Sequence, residues 1–349
     1  MGHPSGSYFR RRRHRGDSAP AANNPPSQQL PIREYGETVR LPLFNVFEFP
    51  QHKSLYEAIH AAGPGVAWSI MKELEAFDQP LYRAHQTGDD NFDSLRTRAL
   101  GFMNAVPGLA AHDKSIHATR FAEYGPKLQF ESTFLNLWMR DKETLFRDVV
   151  EVVGRHHLHE AAGTGRGVIA LPLHLGPSYA AIPMLAHEMP TTTLYNRMNF
   201  DEIQAVSFPD LDFRGIQLGS RSALRAGLSA LREGRIFSMF PELDPRGVDE
   251  HHVRVPFLGT TIMVPTGPVI LSHMSRASMV PVVLKAVGGG RFQLTFHPAI
   301  VPPTSENALL NSLLDLWKVI ESELLTGEIG EWEMWFEFDR MLPKIGKAA

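Results

Sequence analysis

The sequence predicts an α/β protein with a mostly parallel central sheet flanked by helices and preceded by a helical N-terminal segment. Three observations carry that expectation. Beyond the Gly163-Thr164-Gly165-Arg166-Gly167 turn, short apolar runs alternate with helical stretches of about ten to fifteen residues, the pattern of strands joined by helical crossovers. Before that turn, apolar residues recur at helical spacing. Finally, Gly288-Gly289-Gly290 separates two apolar runs that can pair back as a hairpin.

Taken in order, residues 1–34 are rich in Pro, Ser, Asn and Arg without periodic apolar positions and read as a disordered basic tail outside the fold. Residues 35–162 form the helical lead-in, with Leu55, Ile59, Trp68, Ile70, Met71 and Leu74 on its apolar positions and breaks at Gly63-Pro64 and Pro107-Gly108. A further helix is expected after Asp141, an N-cap type residue, running through Leu145, Val149, Val152 and Val153 towards His159. Residues 163–349 are the α/β core. Its expected strands are Val168 to Leu173, Thr192 to Asn196, Arg235 to Phe240, Met279 to Ala286 and Arg291 to His297. Helices are expected over Ser222 to Arg232 and Pro265 to Met274. A last helix after Pro302-Pro303-Thr304-Ser305 is expected to bury Leu309, Leu310, Leu313, Leu314, Trp317 and Ile320.

Composition narrows the function classes. The 349 residues are 43% hydrophobic and 21% charged, enough for one large unit or two domains at about 150 residues each. A net charge of -3 gives no bulk field for nucleic acid. The absence of cysteine excludes a disulfide scaffold, a cysteine nucleophile and iron–sulfur ligation. The most apolar window, Val168 to Leu185, contains Pro172, His174, Pro177 and Pro183, so no membrane span is expected. The Arg10-Arg11-Arg12-Arg13 run is followed by polar residues, which argues against a signal peptide or twin-arginine leader. It could touch anionic lipid headgroups, each basic residue there being worth about 1 kcal/mol. The expected location is cytoplasmic, with possible peripheral contact at the inner face of the cell membrane.

Chemistry is expected at the carboxyl ends of the strands, where open α/β sheets place their sites. His174 directly follows Val168 to Leu173, and a neutral imidazole there can take a proton from an attacking hydroxyl or amine; a capping or packed histidine would occupy the same position. Phe240-Pro241-Glu242-Leu243-Asp244 lies at the end of the strand Arg235 to Phe240, and its two carboxylates could bind an acceptor hydroxyl or orient a base, as well as line a solvated loop. Pro256-Phe257-Leu258-Gly259 and Val264-Pro265-Thr266-Gly267-Pro268 fix the backbone of a loop and a helix start, in a site or as plain punctuation. His156 and His159 lack a convergent carboxylate and read as a solvated face, so no metal site is expected. Gly163-x-Gly165-x-Gly167 has neither the spacing nor the following helix of a dinucleotide fingerprint. No G-x-S-x-G elbow is present.

The ordered set His174-Leu175-Gly176, Leu224 to Gly234 leading into Arg235 to Phe240 and Pro241-Glu242, Pro256-Phe257-Leu258-Gly259, Thr266-Gly267-Pro268, Val280-Pro281-Val282 and Met334-Trp335-Phe336 resembles the late acyltransferases of lipid A biosynthesis, within the glycerolipid acyltransferase superfamily. The resemblance covers about half the chain, from Val168 to Pro343. It implies transfer of a fatty acyl group from acyl carrier protein or coenzyme A to a hydroxyl, with the histidine of a His-x4-acid motif as general base and no bound cofactor. This sequence departs from the pattern at Tyr179, which stands where the acid should be. A phenol can orient the imidazole but supplies no negative charge. Under this resemblance His174 is the base, Tyr179 its substitute partner, and Glu242 binds or orients the acceptor. Arg197 and Arg221 contact phosphate or pantetheine, Asp244 binds substrate, and the acyl chain lies in a groove near Phe257, Gly259, Thr266 and Gly267. Glu337, Phe338 and Asp339 replace the basic cluster that follows the tryptophan in the family, which argues against lipid A as acceptor. Three readings stay open: an acyltransferase with another hydroxyl or amine acceptor, a noncatalytic protein that binds acyl chains or the carrier protein, and a hydrolase that uses His174 to pass the acyl group to water.

Overall fold

In the computed structural model, the residues described are 34–35, 38–39, 53–85, 91–195, 209–217, 223–242 and 251–343. Tail residues 1–33, Arg197, Arg221 and Asp244 lie outside them. Eleven strands are described, numbered here in chain order. β1 (Glu34–Tyr35) and β2 (Thr38–Val39) form a short antiparallel pair. A seven-stranded sheet runs β3-β11-β10-β4-β7-β5-β6, made of Val150–Val153 (β3), Val168–Pro172 (β4), Thr191–Tyr195 (β5), Phe213–Gln217 (β6), Ile236–Ser238 (β7), Ser278–Gly288 (β10) and Arg291–Phe296 (β11). Its one antiparallel pairing is β10 with β11, across the expected glycine turn; every other neighbouring pair is parallel. His252–Phe257 (β8) and Thr260–Pro265 (β9) make a separate antiparallel hairpin.

Both faces of the sheet are covered at its centre, so β4, β7 and the first part of β10 are nearly continuous buried runs. Successive side chains alternate between two cores. Ile169, Leu171, Phe237, Met279 and Val283 point to one, together with the helices Ala223–Arg232, Gly267–Ser275 and Glu306–Thr326 and the β8–β9 hairpin. Val168, Ala170, Ile236, Val280, Val282 and Leu284 point to the other. There they meet the helices Arg155–Ala162 and Ser178–Glu188, the second half of helix Lys114–Trp138 and residues of the lead-in such as Ile59, Ala67 and Met71. The lead-in is helical as expected, with helices Lys53–Ala61, Pro64–His85, Phe92–Asn104 and Lys114–Trp138.

Three expectations change. Asp141 does cap a turn, accepting from the Thr144 N–H at 3.0 Å, but the chain then becomes strand β3 and not a continuous helix. β-Branched Val149, Val150, Val152 and Val153 favour that strand, and Gly154 ends it at φ 70°, where a Cβ would lie 2.2 Å from the Phe296 carbonyl oxygen. The Pro256 to Gly259 segment is the end of a hairpin, with positive φ at Leu258 (49°) and Gly259 (75°), the signature of a primed two-residue turn. In the last helix Leu313, Trp317 and Ile320 are buried, whereas Leu310 faces solvent. Among the described residues no helix is long and apolar enough to cross a membrane.

Candidate active site

Strands β4 and β7 are parallel neighbours in the middle of the sheet, with Ala170 paired to Ser238. His174 lies four residues beyond Ala170 and Glu242 four beyond Ser238, so equal offsets from one register bring the two side chains together at the same sheet end. Glu242 is fully buried and grips His174 twice: Oε1 accepts the His174 backbone N–H at 2.7 Å, and Oε2 lies 2.9 Å from the imidazole Nδ1. A carboxylate accepts, so Nδ1 carries the proton and the Nε2 lone pair is left free. Among the described residues no group engages Nε2, and the His174 side chain keeps 11% of its surface exposed. The ring is stacked on Phe240, 3.9 Å between centroids at 22°. Burial pulls the imidazole pKa down, and the charge and hydrogen bond of Glu242 outweigh it, so the net displacement is upward.

The loop after β4 is held from three sides. Gly176 adopts φ 65°, and a Cβ there would lie 2.2 Å from the Leu284 carbonyl oxygen, so only glycine lets the loop cross β10 this closely. The buried Tyr124 hydroxyl donates to the Gly176 carbonyl at 2.6 Å. From the C-terminal side, Leu175 forms a β-bridge with Trp332, and the Glu333 N–H donates to the His174 carbonyl at 2.9 Å.

Tyr179 sits in the first turn of helix Ser178–Glu188, edge-on to His174 with centroids 6.1 Å apart. Its hydroxyl donates to Glu333 Oε1 at 3.3 Å, and its ring packs on Phe240 at 5.3 Å. The Nδ1 partner of the imidazole is therefore Glu242, while Tyr179 is tied to a carboxyl the sequence reading passed over. Burial raises the phenol well above its usual range, and the neighbouring Glu333 adds to it. Burial also raises the Glu333 carboxyl, against the pull of His174 and of the Tyr179 hydrogen bond.

The expected acyl-chain residues have other surroundings. Phe257 is sealed in the core against Trp317 at 5.1 Å and Trp332 at 5.3 Å. Gly259 lies in the hairpin turn beside Pro107, while the Gly108 N–H donates to the Leu258 carbonyl at 2.7 Å. The Thr266 hydroxyl donates to the His251 carbonyl at 3.0 Å just ahead of helix Gly267–Ser275, and Gly267 is exposed. Arg340, after the replaced basic cluster, pairs with Glu337 at 3.0 Å. Among the described residues no group of three His, Asp or Glu side chains converges as metal ligands would. The residues missed were Glu333 and Tyr124. Glu333 adjoins the Met334-Trp335-Phe336 motif, which was the one available signal; Tyr124 lies mid-helix without any.

The model of the bacterial lipid A biosynthesis acyltransferase family matches residues 109–324, more than half of the chain. No curated protein matches the sequence. Among solved structures, the 1-acyl-sn-glycerophosphate (LPA) acyltransferase PlsC from Thermotoga maritima is similar over 67% of this chain and 94% of its own, at 16% identity and a TM-score of 0.33.

Proposed function

The chain belongs to the bacterial lipid A biosynthesis acyltransferase family, and from that premise we propose that it transfers a fatty acyl group from an acyl carrier protein or acyl-coenzyme A thioester to a hydroxyl or amine acceptor other than lipid A, with His174 as general base. The observation that carries this reading is the His174–Glu242 pair: a buried carboxylate fixes one nitrogen of the imidazole, and among the described residues none engages the other at the end of the central strands. That pairing favours an enzyme over a noncatalytic acyl-binding homologue, because the departure at Tyr179 does not leave the imidazole without a carboxylate.

His174 Nε2 takes the proton from the acceptor O–H or N–H as that oxygen or nitrogen attacks the thioester carbonyl carbon. The imidazolium that forms is stabilised by Glu242 across Nδ1. The tetrahedral intermediate collapses with cleavage of the C–S bond, and the imidazolium returns its proton to the departing thiolate. The products are the ester or amide and the free thiol, and the base is regenerated. Glu242 acts on the base and not on the acceptor, because the carboxylate is fully buried behind the imidazole with both oxygens hydrogen-bonded to His174. The acidic Glu337 and Asp339 near the C-terminus disfavour a bis-phosphorylated acceptor. Contacts from Arg197, Arg221 and Asp244 to donor or acceptor phosphate and polar groups remain part of the reading, as does peripheral contact with an anionic membrane.

The test is intact-mass detection of acyl loss from a panel of acyl carrier protein and coenzyme A thioesters, with a mixed pool of hydroxyl and amine acceptors and His174→Ala as the control. The reading expects loss of donor and gain of acyl mass on an acceptor, both abolished in His174→Ala. Donors that bind but are consumed by neither protein would overturn it in favour of a binding protein, and acylated lipid A as the only product would overturn the acceptor class.

A further inference from the structure

Tyr179 links a second carboxyl, that of Glu333, to the surroundings of the same imidazole, and the transfer step above uses neither. They come from separate elements, the first turn of helix Ser178–Glu188 and the short 3₁₀ turn Glu333–Phe336. Three routes connect them to His174: the Glu333 N–H on the His174 carbonyl, the Tyr179 ring edge-on to the imidazole, and the phenol hydrogen bond to Glu333 Oε1. The other oxygen, Glu333 Oε2, is buried and has no hydrogen-bond partner among the described residues. A half-satisfied buried carboxyl is costly, and one standing beside a catalytic base calls for a role. Both oxygens of Glu242 hydrogen-bond to His174, whereas Glu333 is the nearby carboxyl that keeps one oxygen without such a bond among the described residues.

We propose that Glu333, held by the Tyr179 phenol, is a positioning residue that sets the charge balance around His174, so that the imidazolium forms between two carboxyls, Glu242 on Nδ1 and Glu333 behind Tyr179. The inference rests on His174 being the base, yet the titration of the imidazole is measurable in a protein that turns nothing over. Among the described residues, the charged groups facing His174 are Glu242 and Glu333; those facing Glu333 include His174, Glu242 and Glu337, with the Tyr179 and Tyr124 phenols also coupled to it. Burial raises the Glu333 carboxyl while the His174 charge lowers it, so its ionisation follows that of the imidazole.

The experiment is an NMR titration of the His174 imidazole in the full chain, assigned with His174→Gln, for the wild type, Glu333→Gln, Tyr179→Phe and the double variant. Removing the Glu333 charge is expected to lower the His174 titration by about one pH unit, the scale of one charge about 12 Å away at an effective dielectric near 20. Tyr179→Phe is expected to lower it by less, and the double variant to match Glu333→Gln, because the phenol hydroxyl is placed to act on the imidazole through the carboxyl it holds. An unmoved titration in folded Glu333→Gln overturns the inference, as do additive effects in the double variant. Should Glu333→Gln lose its fold, Tyr179→Phe decides: a lowered titration supports the inference and an unchanged one overturns it. His174-dependent transfer with an unmoved titration removes the positioning role and leaves the proposed function intact; a shifted titration in a chain that transfers nothing does the reverse.

Discussion

Two segments that look alike in sequence behave differently in the fold. His174-Leu175-Gly176 and Pro256-Phe257-Leu258-Gly259 each pair an unusual residue with a glycine at positive φ, and each is pressed against the Trp332 region. In the first, the glycine lets the loop cross β10 while His174 stays partly open, held by a buried carboxylate. In the second, the glycine completes a primed hairpin turn, and Phe257 and Leu258 disappear into the core. The first loop gathers polar atoms whose partners are one another. The second fills space with aromatic contacts. A motif can therefore recur because it carries chemistry or because it holds the scaffold on which the chemistry sits, and burial with satisfied or unsatisfied polar atoms separates the two.

Substitutions can break or sharpen that contrast. The largest effect is expected at His174: replacement by Ala should lower acceptor-dependent thiol release by about 10³-fold, within the usual range for a lost general base, with little change in the urea unfolding midpoint. Phe257→Ala should do the opposite, costing about 3–5 kcal/mol of stability as expected for a truncated buried aromatic while leaving kcat/KM of the folded fraction near wild type. A Phe257→Ala protein that unfolds normally but loses donor affinity would move this residue back into the substrate site. Glu242→Gln, which keeps the shape and removes the charge, should lower kcat by about 10²-fold, the low end of what a general base contributes and less than loss of the base itself; steady-state kinetics at fixed pH would show it.

The smallest effect is confined to acid and to the scaffold. Burial would raise Glu323, but its hydrogen bonds to His297 and Lys285 outweigh burial and bring the carboxyl down to about 2 from its ordinary 4.5. A carboxyl depressed in the folded state contributes stability that is fully present above about pH 4.5 and is lost as the pH falls towards 2. The melting temperature of the wild type should therefore fall through that window more steeply than that of Glu323→Gln, with His174 playing no part in the difference.

Much of this arrangement was legible in the sequence, for identifiable reasons. The apolar runs at Val168 and Ile236 are buried on both faces and read as strands without ambiguity, so the residues at their carboxyl ends, His174 and Glu242, stood out. Their direct contact was not legible, because it depends on the Ala170–Ser238 register. Strand β3 was hidden by valines that also fit a helical spacing, although Gly154 marked its end. The β8–β9 hairpin was hidden by Pro256 and by a leucine at a position that usually takes Asn or Gly. Glu333 could not be placed from sequence at all: its short 3₁₀ turn has no periodicity, and it reaches the site through the Leu175–Trp332 bridge. Tyr179 read as the loss of an acid, whereas the fold sets a carboxyl directly behind it.

The central claim is that Glu242 tunes His174 as the base, and the most direct measurement is the pH dependence of kcat/KM for acyl transfer in the wild type and in Glu242→Gln. The base works as the neutral imidazole, so the rate should rise with pH through an acid limb lying above the ordinary histidine value of 6.5 in the wild type. Without the Glu242 charge, burial dominates and the limb should move to lower pH while the plateau falls. An acid limb at the same pH in both proteins would contradict the account.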